Sequence, residues 1–368
     1  MRSLLCIVCL LANLTTVNAQ NNPDQITVYF PAFSGDSNTL GRNVSTVLSL
    51  QLAQTTRKAP WPDNPDKLDF GQGMIKWSPN AIAINQRQMA ITEAQQSKLL
   101  AQMVVLGGTK QFGNNVVVEV EVLLPDYQQA HKGCKTNKRQ PCDYRQQNFE
   151  LWPLQCKAKT LYTPLPRRRY HMAGIVLENS VVKQFSQIKG LPISASQQEE
   201  RVIGHTGDDL QFLEFNRHLP KAPTKLRSKG VEGYVALPKI SAKNSEFADM
   251  AGGLLQLFRG DWQAAHSSFS RVLENPVTRV PLKVDAFLLR GMVQFRRGNN
   301  GLKDITRAAS LAPYDAGAAR YQLTAMVAAR VAVADIRQTL QEKRYLFDND
   351  DEWLKQLDSF ISCMTDAT

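Results

Sequence analysis

A similar helical hairpin occurs twice in this chain, in residues 246–276 and again in residues 284–313. This repeat restricts the fold more than any other stretch. In each copy a small residue stands where the two helices must approach closely, and a second glycine ends the first helix, as glycine commonly does. These glycines are Gly253 and Gly291 within the helices, and Gly260 and Gly298 beyond them. The pattern predicts two consecutive helical hairpins.

The two copies resemble a pair of tetratricopeptide repeats (TPRs), helical hairpins of roughly 34 residues. Ala265, Phe269 and Val272 give the second helix of the first copy the small, large and apolar face of that family. The distance from Gly253 to Val272 is 19 positions, whereas the corresponding distance from Gly291 to Ala308 is 17. The first copy therefore fits the family better. The resemblance implies stacked hairpins that present a concave surface to another protein, and it implies no catalytic chemistry.

The resemblance also predicts where a partner binds, because exposed residues of the first helices line the concave face of such an array. The residues predicted to bind a partner protein are Gln256, Arg259, Arg290 and Gln294. Residues 316–329 and 334–346 are expected to form a third, degenerate hairpin. Acidic residues 348–352 precede a last helix with one apolar face, which would cap the array. The predicted fold of residues 245–368 is therefore an all-α array of TPR-like hairpins.

Residues 25–125 predict an α/β arrangement of strand, helix, strand, helix and β-hairpin. The first helix, residues 40–54, carries one apolar stripe, and a capping box at Thr92–Gln95 is expected to open the second. The β-hairpin is expected around Gly113. This order is similar to the TolB amino-terminal type of domain, shared with the curli-secretion lipoprotein and with flagellar outer-membrane assembly proteins. The resemblance implies a mixed sheet with two or three helices in an envelope-facing binding domain, with no catalytic residue.

The chain of 368 residues suits two or three domains, and its 43% hydrophobic content excludes wholesale disorder. The α/β domain is predicted to cover residues 20–217, with a basic, cysteine-containing insert at residues 127–171. Residues 218–244 contain three prolines and two glycines without sustained periodicity. They are predicted to be a linker between the two domains.

Residues 1–19 have the pattern of a secretory signal peptide, with Arg2 before an apolar run and small residues ending at Ala19. Cleavage after Ala19 would leave a periplasmic or secreted chain without a transmembrane segment. Four cysteines would remain and are candidates for two disulfides: Cys134, Cys142, Cys156 and Cys363. Cys134 can pair locally with Cys142 or Cys156, and Cys363 would then tie back the C-terminus.

The net charge of +11 is concentrated in the insert, where ten basic residues between positions 127 and 171 face two acidic ones among several aromatic residues. Such a segment can bind polyanions through charge and stacking. Arg167, Arg168 and Arg169 are the predicted contacts for lipopolysaccharide, an anionic glycan or, less naturally in an exported chain, nucleic acid. A solvated, disulfide-stapled loop explains the same composition equally well.

Catalytic and metal-binding patterns are weak. The five histidines and the cysteines have no zinc-ligand spacing. The segment His205-Thr-Gly-Asp-Asp209 is the most site-like cluster, although loops of this composition are commonly turns. Gly107-Gly-Thr-Lys110 lacks the spacing of a phosphate loop, and no serine lies in a nucleophile elbow. The sequence predicts no cofactor and a non-enzymatic adaptor or assembly protein, serving cell-envelope biogenesis or secretion through its array. The alternative is a polyanion-binding module.

Overall fold

The computed structural model describes the chain in thirteen segments and supports an N-terminal region with a mixed sheet and a C-terminal helical region. The described residues are 28–55, 75–96, 101–125, 154–156, 159–161, 169–184, 190–198, 201–207, 211–214, 224–236, 246–258, 260–348 and 352–365.

The secondary structure elements follow the chain as twelve strands and ten α-helices within those segments. The strands are β1 (Val28–Gly35), β2 (Ile75–Ile82), β3 (Met103–Phe112), β4 (Asn115–Leu123), β5 (Leu154–Cys156), β6 (Lys159–Leu161), β7 (Arg169–Glu178), β8 (Pro192–Ser194), β9 (Val202–His205), β10 (Gln211–Glu214), β11 (Thr224–Ser228) and β12 (Val231–Val235). The helices are α1 (Asn38–Thr55), α2 (Arg87–Gln96), α3 (Asn179–Gln184), α4 (Glu246–Phe258), α5 (Trp262–Glu274), α6 (Val280–Arg296), α7 (Leu302–Leu311), α8 (Ala316–Ala328), α9 (Val333–Lys343) and α10 (Glu352–Thr365).

The first sheet has the strand order β2-β1-β3-β4-β7. β1 is parallel to β2 and β3, whereas β4 is antiparallel to β3 and β7. Parallel neighbours need crossover connections, and α1 and α2 lie in the chain between these strands. The apolar stripe of α1 is buried against one face of the sheet, and α2 packs on the other face. The predicted order of strand, helix, strand, helix and hairpin is confirmed.

The predicted start of α2 is wrong. The helix begins at Arg87, directly after a 3-10 turn at Ile84–Gln86. The Gln86 side-chain oxygen accepts a hydrogen bond from the Ala83 backbone N–H, at 3.0 Å, so this turn already supplies a cap. Thr92 lies inside the helix, where its hydroxyl donates to the Gln88 carbonyl. A capping-box pattern therefore occurred within a helix and not at its start.

The hairpin of β3 and β4 is confirmed, and its register pairs every residue from Val104 with Leu123 to Phe112 with Asn115. Gly113 opens the two-residue turn with a φ of 55°, in the left-handed region that glycine adopts at low cost.

The linker prediction for residues 218–244 is wrong where the structure describes this stretch. Residues 224–235 form β11 and β12, which belong to a second, five-stranded sheet of order β10-β11-β12-β8-β9. Lys229 and Gly230 form the turn with φ values of 50° and 77°, as two-residue turns of type I′ require. The sequence signal for this hairpin is the pair Lys229-Gly230 between two short runs with alternating apolar residues.

One apolar cluster joins the sheet to the helical region. It contains residues of β1, β4, β7 and α1 together with residues of α4, α6 and α8. Phe30 in β1 and Phe247 in α4 meet edge to face, with ring centroids 6.2 Å apart. Because the two regions share a core, we expect them to unfold together.

The helices α4 to α9 form three consecutive antiparallel hairpins, since each helix packs against the next across a short connection. The close approach predicted at the two helical glycines is confirmed. A Cβ atom at Gly253 would lie 2.5 Å from the Phe269 ring, and one at Gly291 would lie 2.6 Å from the Ile305 side chain. Each glycine therefore lets the second helix of its hairpin lie against the backbone of the first.

The first helix of each hairpin ends in the same hydrogen-bonded cap. Gly260, Gly298 and Arg330 have positive φ values of 74°, 78° and 55°. Each donates its N–H to the carbonyl three residues back, and the following residue donates to the carbonyl five residues back. This is the bonding of a glycine C-cap. The third hairpin has the same cap as the others, but an arginine holds the strained position.

We predict that Arg330→Gly stabilises the protein by about 0.5–1 kcal/mol, because a residue with a Cβ in the left-handed region carries a conformational cost that glycine avoids. Urea unfolding measures this change. Gly298→Ala is the matched control: apart from its two chain neighbours, no residue lies within 4 Å of the added Cβ. Only the backbone cost therefore remains, and stability should fall by about 1 kcal/mol. Loss of stability in the Arg330→Gly variant would contradict this account.

Candidate functional site

The first helices of the hairpins, where a partner was expected to bind, are the more buried helices of the array. Ten of thirteen residues are buried in α4, nine of seventeen in α6 and eight of thirteen in α8. The second helices bury five of thirteen, four of ten and one of eleven. The protein's own α/β region covers the first helices, because α4 packs on α1 and both α4 and α6 contact β7.

The same contact continues at α8. Tyr321 of α8 is buried, and burial raises the pKa of its phenol well above the ordinary value, with a further contribution from the nearby Tyr170. Tyr170 is a fully buried residue of β7. The apolar composition of α4 on all of its faces is the sequence signal for this arrangement, since a helix that is hydrophobic all round is buried.

The predicted exposure of Gln256 is wrong. The residue is 3% exposed, and its side-chain oxygen accepts a hydrogen bond from the Ser268 hydroxyl at 2.8 Å. Gln256 therefore joins α4 to α5 inside the first hairpin. Arg259 lies outside the described residues.

Arg290 and Gln294 project from α6 into a polar cluster between α5, α6 and α7. The Arg290 guanidinium donates to both carboxylate oxygens of Asp304, with distances of 2.7 and 2.8 Å, and to the Ser270 hydroxyl at 3.2 Å. The Gln294 amide donates to Asp304 at 3.1 Å and lies 3.4 Å from His266. The expectation that Arg290 and Gln294 are exposed is wrong. Both side chains hold helices together and are thus engaged within the protein instead of facing a partner.

We predict that Arg290→Met destabilises the protein by about 3 kcal/mol, because it leaves the buried Asp304 carboxylate without its cation. The double variant Arg290→Met/Asp304→Asn removes that charge as well and should be more stable than the single variant in urea unfolding. Arg227→Met is the control, because the Arg227–Glu232 pair is exposed and its loss should cost less than 1 kcal/mol. Equal costs for the single and double variants would contradict the charge explanation.

His266 is the titratable residue of this cluster. Burial lowers its pKa below the ordinary value, and the cations Arg297 and Arg290 lower it further, whereas Asp304 acts in the opposite direction. The folded protein therefore favours the neutral imidazole. Below the unfolded-state pKa of about 6.5, the unfolded chain binds a proton that the folded chain resists. The stability that depends on a neutral His266 is therefore complete above the unfolded-state pKa of about 6.5 and is lost as the pH falls below it.

We predict that His266→Gln reduces the loss of stability between about pH 6.5 and 5, because glutamine has no proton to bind in the unfolded state. The measurement is the free energy of unfolding of wild type and variant at several pH values. Parallel pH profiles for the two proteins would show that His266 does not contribute.

The exposed apolar side chains of the array lie at one edge. Val277 and Tyr314 are in the connections between successive hairpins, Val280 begins α6, and Tyr345 follows α9. They are 74%, 82%, 52% and 65% exposed, respectively. Because successive helices run in opposite directions, the connections between hairpins share one edge, opposite the turns within hairpins. We call these four residues the apolar edge.

β7, an edge strand of the first sheet, lies next to part of the apolar edge. The Arg279 guanidinium lies 3.1 Å from where a Cβ of Gly174 would be, and Gly174 is the residue of β7 that the register shift leaves unpaired. Val176, two residues further along β7, is 59% exposed. Part of β7 therefore continues the surface next to Val277 and Val280.

Most of the basic insert lies outside the described residues, including Arg167 and Arg168. Arg169 is described as the exposed first residue of β7. Its neighbour His171 pairs with Glu119 across the strands, with a distance of 2.6 Å between nitrogen and oxygen. Polyanion binding by Arg167, Arg168 and Arg169 stays a prediction.

Two other segments named from the sequence have structural roles. In the His205 segment, Thr206 is buried and its hydroxyl accepts a hydrogen bond from the Leu191 N–H, while the Gly207 N–H donates to the Ser228 hydroxyl. Asp208 and Asp209 lie outside the described residues. Gly107 stands in the middle of β3, and a Cβ there would lie 2.1 Å from the Phe33 ring.

Of the disulfide candidates, Cys363 of α10 is disulfide-bonded and 5% exposed. Cys156 is the last residue of β5, whereas Cys134 and Cys142 lie outside the described residues. Within the described segments, no group of three His, Cys, Asp or Glu side chains is arranged to hold a metal ion. Across those same residues, no helix combines the length and apolarity needed to span a bilayer.

Comparison of the chain with models of protein families, with curated proteins and with solved structures finds no match.

Proposed function

We propose that this chain is an exported, non-enzymatic adaptor or assembly protein of cell-envelope biogenesis or secretion. It binds a partner protein with the apolar edge of its helical hairpins. The observation that carries this proposal is the concentration of Val277, Val280, Tyr314 and Tyr345 at the connections between hairpins.

The composition of this edge suits a protein partner. Single exposed apolar residues are common on any surface, whereas these four side chains recur at the connections along one edge. Exposed apolar groups that gather on one part of a surface mark interaction sites. Tyrosine is enriched at protein interfaces because it combines a large apolar ring with a hydroxyl that can form a hydrogen bond. The face of the first helices is not available for a partner, since α1 and β7 occupy it. The edge is the part of the array that keeps exposed apolar side chains.

The proposal includes a TPR-like arrangement of α4 to α9. Its support is the close contact of Gly253 with Phe269 and of Gly291 with Ile305, and the cap that recurs at the end of each first helix. In a TPR-like array the first helices line the inner face. Here that face would hold the protein's own sheet, and a partner would meet the array at its edge.

The α/β region is proposed to be of the TolB amino-terminal type and to contact an envelope component. The order β1, α1, β2, α2, β3 and β4 supports this resemblance. Export is supported by the disulfide at Cys363, because disulfides persist in oxidising compartments. The predicted signal peptide, residues 1–19, lies outside the described residues.

The test begins with proteins recovered by the immobilised mature chain from an envelope extract. We predict that one of them, once purified, binds a Val277→Ser/Tyr314→Ser variant at least tenfold more weakly than the wild type. Interface anchors commonly contribute more than 1.4 kcal/mol each, which corresponds to this factor. Isothermal titration calorimetry measures the dissociation constants.

Met89→Ser is the matched control. Met89 is an exposed apolar residue of α2, which packs on the sheet face opposite the helical region. This variant should bind as the wild type does. Unchanged affinity of the edge variant would overturn the proposed surface. Point substitutions are needed because the shared core makes deletion of residues 245–368 expose the apolar face of α1 and the sheet.

A further inference from the structure

The C-terminal helix holds a disulfide whose second cysteine can be inferred from the fold. Cys363 is disulfide-bonded. Its possible partners beyond the predicted signal peptide are Cys134, Cys142 and Cys156. Cys156 lies in the small hairpin of β5 and β6. Among the described segments, this hairpin is the one that contains another cysteine and contacts the last helix.

Both strands of this hairpin contact α10. Leu161 of β6 is fully buried in a second apolar cluster that includes Leu357, Phe360 and Ile361 of that helix. The hairpin is thus attached to α10 by apolar packing, although about 200 residues separate the two elements in the chain.

The register of the hairpin places residue 156 on the face that meets α10. Leu154 pairs with Leu161, and Cys156 pairs with Lys159. Directly opposed residues of an antiparallel pair share one face of the ribbon, and so do residues two apart in one strand. Position 156 therefore lies on the same face as the buried Leu161. On α10, Cys363 is one helical turn beyond Phe360 and is buried like it.

We propose that Cys363 is bonded to Cys156. Formation of this bond oxidises two thiols to one S–S bond. The two protons and two electrons pass to a disulfide of an oxidant in the oxidising compartment, and this disulfide is reduced to a dithiol.

This bond closes a loop of 207 positions between residues 156 and 363, and cross-links of long loops restrict the unfolded chain most. It also attaches the hairpin of β5 and β6 covalently at the end of the helical region.

Peptide mapping under non-reducing, acid-quenched conditions tests the pairing directly. Trypsin cleaves after lysine and arginine and therefore puts each of the four cysteines in a separate peptide: residues 133–135, 140–145, 146–157 and 356–368. We expect mass spectrometry to find 146–157 linked to 356–368. A link from 356–368 to either of the other two peptides, or a free thiol at Cys363, would overturn the proposal.

Substitutions give a second, independent measurement. Cys156→Ala and Cys363→Ala should each lower the midpoint of thermal unfolding by on the order of 5 °C, and the double variant should lower it no further. A thiol-specific reagent should label position 156 in the unfolded Cys363→Ala variant. Additive shifts, or labelling at Cys134 or Cys142 instead, would show that the two cysteines are not partners. The Cys134→Ala/Cys142→Ala variant is the control and should keep the link between 156 and 363.

Discussion

The apolar contact between the sheet and the first helices of the hairpins determines how the other parts of this protein can be used. Phe30 of β1 meets Phe247 of α4, and the cluster around them extends through α1 and β7 to α6 and α8. Burial of apolar area is the main stabilising term in folding. The inner face of the helical hairpins contributes this area to the protein's own core and is therefore not a free binding groove.

This constraint directs the proposed interaction to the periphery. The second helices have polar outer faces, whereas the connections between hairpins carry exposed valine and tyrosine side chains. The polar cluster around Asp304 has a different role, because its arginine and glutamine partners join neighbouring helices within the protein. An adaptor built in this way would hold its partner at an edge of the helical hairpins, whose inner face shares an apolar core with the α/β region.

Several parts of the fold follow from local sequence patterns. The stripe of Val44, Val47, Leu48 and Leu52 predicts the buried face of α1, and Gly113 predicts the turn of the β3–β4 hairpin. The third cap was not recognisable, because Arg330 adopts a conformation that sequence patterns assign to glycine. The hairpin of β11 and β12 was also missed, since its Lys-Gly turn stands among prolines and basic residues that favour a linker.

The sequence by itself determined the secondary structure of the hairpins, the close helix contacts at Gly253 and Gly291, and the order of strands and helices along residues 25–125. These features depend on local periodicity and on single residues with special backbone properties. The tertiary structure decided which helix faces remain exposed, because exposure depends on what packs against a helix from distant parts of the chain. It buried Gln256 and placed Arg290 and Gln294 against Asp304. It also brought β5 to α10, a contact across about 200 residues that no local pattern encodes.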